Sequence, residues 1–260
     1  MIWLLLMACS LASRVEKADA AVRKGDLAQA EERYRSILDR SPEQLDALYG
    51  LGWVYHLDGD AGRAREYFKR CIRVSPEELR CVRGLGSVAM SEGNPGQARS
   101  YYDQALALQP DAPRVLSSMG LLLLSEGDED GALSYLLRAG QLEPERGEHS
   151  YNLAEAYFRL GEYQQALDVI DAGLAKGATE QRFTGLMLEL RALVLVRMTS
   201  GRVDPLDCQT TAPPVLAWLA AADLDLDRAQ AIGVVLPNLP AARRQVHKRR
   251  SKITEKCPQE

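Results

Sequence analysis

A glycine recurs every 34 residues through the first two thirds of this chain: Gly25, Gly59, Gly93, Gly127 and Gly161. With glycine near 7 % of general residue usage, five hits out of five at one place has a chance on the order of one in a million. Written in rows that begin at Leu11, Leu45, Leu79, Pro113 and Gly147, the chain aligns with itself without an insertion, and the glycine stands at the fifteenth place of each row. Ala30, Ala64, Ala98, Ala132 and Ala166 share the twentieth place, and Ala18, Gly52, Gly86, Gly120 and Ala154 the eighth. Pro42, Pro76, Pro110 and Pro144 share the thirty-second, where the fifth row has Ala178. A period of this length is the signature of stacked supersecondary units rather than of one irregular core.

Each recurrent place has a mechanical reason. Glycine takes positive φ at no steric cost, so it closes one helix while the polar residue after it opens the next; Gly-Asp occurs there three times. Small residues at the eighth and twentieth places let the two helices of a pair cross closely. Tyr34, Phe68, Tyr102, Leu136 and Ile170, at the twenty-fourth place, fill the space beside them. Proline cannot continue a helix and suits the first turn of a new one, so it marks where each pair ends.

These rows resemble the tetratricopeptide family, whose small, aromatic and proline places recur with the same period. The resemblance covers residues 11–180 as five repeats: 11–44, 45–78, 79–112, 113–146 and 147–180. It implies an all-α fold, a right-handed superhelical solenoid of helix-turn-helix repeats with a helical cap at the C-terminus. It also implies that the first helix of each pair lines a concave face, with its second, fifth, ninth and twelfth places turned into the groove. In this chain those are Asp46, Tyr49, Trp53 and His56; Arg80, Arg83, Ser87 and Met90; Arg114, Ser117, Leu121 and Leu124; and Glu148, Tyr151, Glu155 and Phe158. The expected groove has aromatic ends and a basic centre. Tyr, Trp, Met and Arg are enriched at protein interfaces, and Arg grips carboxylates through two parallel hydrogen bonds. The expected partner is therefore a protein or peptide segment, acidic and partly apolar. The other expectation for the same residues is that the tyrosines pack on neighbouring helices and the arginines pair with Asp46 and Glu148.

The repeat pattern changes at both ends. Arg14 and Lys17 occupy places that are apolar in Leu48/Leu51, Val82/Leu85 and Leu116/Met119, as a terminal helix with an outward polar face requires. After Glu180 the register fails, because Leu188 falls where a small residue should be. Phe183, Leu186, Met187, Leu190, Leu193 and Val194 still form one stripe, so residues 181–198 are expected as a capping helix. A loop through Pro214, a helix near 215–232 and a basic helix opened by Asn238-Leu-Pro240 make up the extension 199–260. Residues 241–256 carry seven Lys or Arg against one Glu in a chain of net charge −4, so a basic tail sits on an acidic body.

Residues 1–10 are apolar but far shorter than the roughly 20 residues of a membrane-spanning helix, which points to a targeting segment. Leu6-Met7-Ala8-Cys9 resembles a bacterial lipobox, with Cys9 as the lipidated residue and the membrane reached through it. The alternative is an apolar extension of the first helix. Setting Cys9 aside leaves four cysteines; the pairing expected among three connectivities is Cys71 with Cys81 and Cys208 with Cys257, against four reduced thiols in a cytoplasmic protein.

No catalytic constellation is present. His56, His149 and His247 are scattered, no Cys-x-x-Cys occurs, and Gly50-Leu-Gly52 falls mid-helix, so no metal, cofactor or enzymatic activity is expected. The leading expectation is an envelope-anchored protein-interaction scaffold, held in the periplasm at the outer membrane. A cytoplasmic adaptor is the alternative, and a membrane-surface or nucleic-acid module run by the basic tail is a third.

Overall fold

The structure is a computed structural model that describes residues 2–176, 181–199, 208–233, 236 and 238–257, with side chains from residue 11 onward except those of 208–210. Thirteen helices, and no strand, are found among the described residues. Two compact units divide the chain between Leu122 and Leu123. The first contains α1 (Ile2–Arg23), α2 (Leu27–Leu38), α3 (Leu45–Leu57), α4 (Ala61–Val74), α5 (Leu79–Ser91), α6 (Pro95–Leu108) and most of α7 (Pro113–Glu126). The second contains the end of α7, α8 (Glu129–Leu142), α9 (Gly147–Leu160), α10 (Tyr163–Ala175), α11 (Gln181–Met198), α12 (Cys208–Ala231) and α13 (Leu239–Lys256).

The recurrent glycine does what its place demands. Gly25, Gly59, Gly93, Gly127 and Gly161 all have φ between 73° and 85°. The next residue's N–H reaches back five residues: Asp26 to the Ala21 carbonyl, Asp60 to Tyr55, Asn94 to Ala89, Asp128 to Leu123 and Glu162 to Tyr157. This closes orphan carbonyls at the end of the first helix. The same residue then starts the second helix. Asp26, Asp60 and Asp128 accept from the backbone N–H of Gln29, Arg63 and Gly131 at 3.0, 2.8 and 3.0 Å.

In the first unit the large residue of each pair packs directly on glycine. A methyl group added at Gly52 would stand 2.6 Å from the Phe68 ring, and one at Gly84, on the following hairpin, would stand equally close to it. Tyr34 meets Gly50, and Tyr102 meets Gly86, one glycine each. Cys71 and Cys81, both fully buried, form a disulfide that staples α4 to α5. Cys257 is a buried half-cystine, whereas its expected partner Cys208, like Cys9, has its side chain outside the described residues.

The second unit ends differently. α11 packs on α9 and α10 through Met187, Leu190 and Val194, and on α12 through Leu195 and Val196. Size is exchanged between partners here: Leu188, at the place of a small residue, meets Ala229 of α12. α12 begins at Cys208, before the two prolines after which its start was expected. Pro213 and Pro214 remove N–H groups near its first turns, and the neighbouring Ala212 and Val215 are buried in the core. α13 covers α11 and α12 with Ala242, Val246 and Ile253. α11 and α12 thus make a further hairpin, and α13 lies over it. At the other end α1 starts at Ile2, so the apolar N-terminal stretch continues the first helix of the first repeat.

Candidate protein-binding face

In the first unit, Asp46, Tyr49, Trp53 and His56 recur at helical spacing on one side of α3. Tyr49 and Trp53 stack with their ring centres 6.4 Å apart, and Trp53 lies 5.0 Å from His56. The buried Phe68 supports both, 6.1 Å from Tyr49 and 6.5 Å from Trp53, so the rings rest on the residue that fills the hairpin. α5 lays two guanidinium groups over this row. Arg80 is 5.1 Å from the Tyr49 ring centre and Arg83 is 5.2 Å from that of Trp53, within cation–π range.

The two arginines differ in charge balance. Arg80 pairs with Asp46 at 2.9 Å and with Glu78 at 2.9 Å, and its guanidinium holds the Glu78 carboxyl below the ordinary carboxylate range. Arg83 is 7 % exposed, donates to the Tyr49 hydroxyl at 3.2 Å, and has no carboxylate paired with it among the described residues. Burial, with the Arg83 charge added, pushes the His56 imidazole down. Arg114 on α7 is half-buried and its carbonyl accepts from Ser118; Ser117 is buried, and Leu121 is 39 % exposed.

The second unit carries Tyr151, Glu155 and Phe158 on α9. Tyr151 lies 6.2 Å from Phe183 of α11, and its hydroxyl is pushed up by burial, by a hydrogen bond to Glu155 and by the charges of Glu155 and Glu189. Glu155 pairs with Arg159 at 2.5 Å; Phe158 lies 5.9 Å from Tyr163 and 6.0 Å beneath the Arg197 guanidinium.

Two family models described as tetratricopeptide repeat match residues 15–77 with 83–142, and 123–190. The chain belongs to the tetratricopeptide repeat family. Solved structures agree on the fold. A thermophilic tetratricopeptide protein of Thermus thermophilus is 21 % identical with a TM-score of 0.63, over 72 % of this chain and 98 % of that one. The type IV pilus biogenesis factor PilW is 17 % identical with a TM-score of 0.60, over 89 % and 97 %. A chain of the Cut9–Hcn1 heterotetramer of the APC/C is 18 % identical with a TM-score of 0.68, over 92 % of this chain and 42 % of that one. At these identities the likeness concerns the fold alone. A comparison with curated proteins gave no match.

Tetratricopeptide proteins are protein–protein interaction scaffolds, and the fold is generally non-enzymatic. Of the residues expected to line the groove, Asp46, Tyr49, Trp53, His56, Arg80 and Arg83 form one connected cluster in the first unit. Arg80 pairs with Asp46, as the packing expectation has it, while Arg83 has no counter-ion among the described residues. His149 is buried against Glu143 and belongs to the packing. The tetratricopeptide register also runs on into α11, where Arg182, Gly185, Glu189 and Ala192 take the second, fifth, ninth and twelfth places. Glu189 escaped the sequence reading because Leu188 broke the small-residue pattern one residue earlier. Glu78 escaped it too, since it lies outside the helix that carries Arg80. In the basic tail, Arg243 binds Asp227 and Gln230, Arg249 binds Thr199, and Arg250 binds Asp223, so three of its cations hold α13 in place.

Proposed function

We propose that this chain is an interaction scaffold whose first unit holds a partner protein on the face built by α3 and α5. The partner segment lays an apolar or aromatic side chain on Tyr49 and Trp53 and brings a carboxylate to Arg83. The observation that carries this reading is Arg83 itself. Buried charges are normally paired, and an uncompensated one destabilises the fold. A buried guanidinium whose hydrogen-bond partner among the described residues is a neutral phenol, and which lies over a Trp ring, is preorganised for a carboxylate supplied from outside. Trp, Tyr and Arg are also the residues in which binding energy concentrates.

The envelope is part of the same proposal. The buried Cys71–Cys81 disulfide supports an oxidising compartment, and Leu6-Met7-Ala8-Cys9 supports lipid attachment at Cys9. The reading includes a role in assembling an envelope machine, of the kind named for PilW.

The test is affinity capture at native expression from the envelope fraction of the host, with wild type beside Trp53→Ala and Arg83→Gln, both checked for folding by circular dichroism. A partner captured by wild type and lost from both variants is the expected result. Undiminished capture by the folded variants would remove the α3–α5 face from consideration. Absence from the envelope, or a Cys9 without lipid by mass spectrometry, would remove the address while leaving the face.

A further inference from the structure

The first hairpin leaves an open notch of about 290 Å³, lined by Arg14 and Lys17 from α1 and by Glu32, Arg33, Ser36 and Ile37 from α2. Arg14 and Lys17 stand at the places where Leu48 and Leu51 of the next row are buried in the core. Arg33 is oriented by donating to the Lys17 carbonyl at 3.1 Å. No acid pairs with Arg14, Lys17 or Arg33 among the described residues. Lys17, Glu32 and Ser36 are exposed, so the notch is open to solvent. Buried Ile37 and the aliphatic stems of the arginines and the lysine give it an apolar wall. α1 runs unbroken from Ile2 through Lys17, so Arg14 stands roughly 8 Å of helix rise beyond Cys9.

We infer that the α1–α2 notch is a subsite for the headgroup phosphate of an anionic membrane lipid. The subsite rests on the envelope part of the proposed function and shares no residue with the Arg83 cluster. Guanidinium groups match phosphate oxygens with paired N–H donors, and a lysine adds a point charge. Three cations against one acid, Glu32, leave the lining positive. The apolar wall favours a lipid over free phosphate, since the glycerol and first methylenes of a lipid cover Ile37 and the side-chain stems that inorganic phosphate leaves wet. Position agrees with this. The headgroup layer of a bilayer is roughly 5–8 Å deep on each side, so a membrane met at residues 2–9 brings its headgroups to Arg14 and Lys17. The same placement follows whether a lipid on Cys9 or the apolar stretch itself meets the membrane.

The experiment is titration of the full chain with dihexanoylphosphatidylglycerol, a lipid short enough to stay monomeric, followed by amide chemical shifts. Saturable shifts confined to α1 and α2 are expected. Arg14→Gln and Lys17→Gln should each weaken binding about fivefold, the scale of one cation near an anionic headgroup. Glu32→Gln should tighten it. Lys69→Gln/Arg73→Gln, which removes two exposed charges from α4, should leave it unchanged. Dihexanoylphosphatidylcholine, whose quaternary ammonium the three cations repel, and inorganic phosphate should both bind more weakly. The substituted side chains lie on an open surface, and unchanged circular dichroism shows that lost binding is not lost folding. No shifts at millimolar lipid, shifts centred outside α1 and α2, or full affinity in Arg14→Gln and Lys17→Gln would each overturn the subsite. Equal affinity for the choline lipid would remove the charge recognition, and tighter binding of inorganic phosphate would remove the lipid; either overturns the assignment. A monomeric lipid needs no anchor, so the state of Cys9 and this subsite can fail separately.

Discussion

The two units are built from the same 34-residue hairpin, yet their inner faces carry opposite unbalanced charges. In the first, Arg83 is buried against Trp53 with a neutral phenol as its partner. In the second, Glu189 is buried beside Tyr151 with a neutral amide as its partner. Their supports differ as well. Rings of the first unit rest on Phe68, packed on Gly52 and Gly84, and a disulfide closes the same joint. The second unit exchanges large for small at Leu188 and Ala229 and finishes with α13 laid across the last hairpin. Repetition therefore sets where inner-facing side chains stand, while the substitutions at those places decide which charge each unit leaves unbalanced.

The largest expected effect comes from removing the support of the first face. Phe68 is fully buried, and Phe68→Ala should destabilise the first unit by about 3–5 kcal/mol, the range for deleting a buried aromatic ring. Trp53 reports one unit and Trp218 the other, so urea unfolding of Trp3→Phe chains with one reporter retained assigns the loss. A shift of the Trp53 transition alone supports two separately stable units. Equal shifts of both would merge them into one cooperative body. Next comes the staple. Replacing Cys71 and Cys81 together by Ala should cost about 2–3 kcal/mol, as for a short loop, again in the Trp53 transition. An unchanged transition would show that the packing at α4 and α5 suffices without the covalent bond.

Much of this was readable from the period, because one row placed under the next puts neighbours in register. Arg80 reaches Asp46 and Arg83 reaches Tyr49, each across 34 residues, so lateral contacts along the face follow from equal places in adjoining rows. The turn glycines and the aromatic fillers were readable for the same reason. What escaped was anything decided by residues outside the repeat places. Glu78, from the turn before α5, removes Arg80 from the set of open cations. Asn238, from beyond the repeats, faces Glu189. The large-for-small exchange at Leu188 hid that α11 opens another hairpin, since a place-by-place comparison sees one partner of a packed pair and not the other.

A smaller effect tests the buried acid of the second unit. Burial raises the Glu189 carboxyl above its ordinary range. Between that ordinary value and the raised one, the native state holds a proton that the unfolded chain has released, so stability falls as pH rises through the window. Asp225, also raised by burial though flanked by Arg191 and Arg228, contributes a slope of the same sign. Glu189→Gln should remove only its own share. The variant should be more stable than wild type by about 1 kcal/mol at mildly alkaline pH, the scale of one unsatisfied buried group, and equal to it at acid pH where both carboxyls are neutral. Thermal scans followed at Trp218 measure this; a gain that persists in acid would assign the effect to packing rather than charge.

The smallest effect on stability bears most directly on the first face. Arg80 and Asp46 are each about two-fifths exposed, and exposed pairs contribute between nothing and about 1 kcal/mol, so Asp46→Asn should barely move the Trp53 transition. Binding should respond more. Asp46 neutralises one side of Arg80, and removing its charge leaves Glu78 as the only acid paired with that guanidinium among the described residues. The face then changes from one open cation, Arg83, toward two. A partner segment that brings a single carboxylate should bind Asp46→Asn a few-fold more tightly, with a steeper dependence on salt, because added positive potential acts over a screening length of about 10 Å at 0.1 M salt. Unchanged affinity would mean that the carboxylate meets Arg83 too far from Arg80 to sense it. Weaker binding would mean that Asp46 itself touches the partner, and the charge assigned to the segment would have to be reversed.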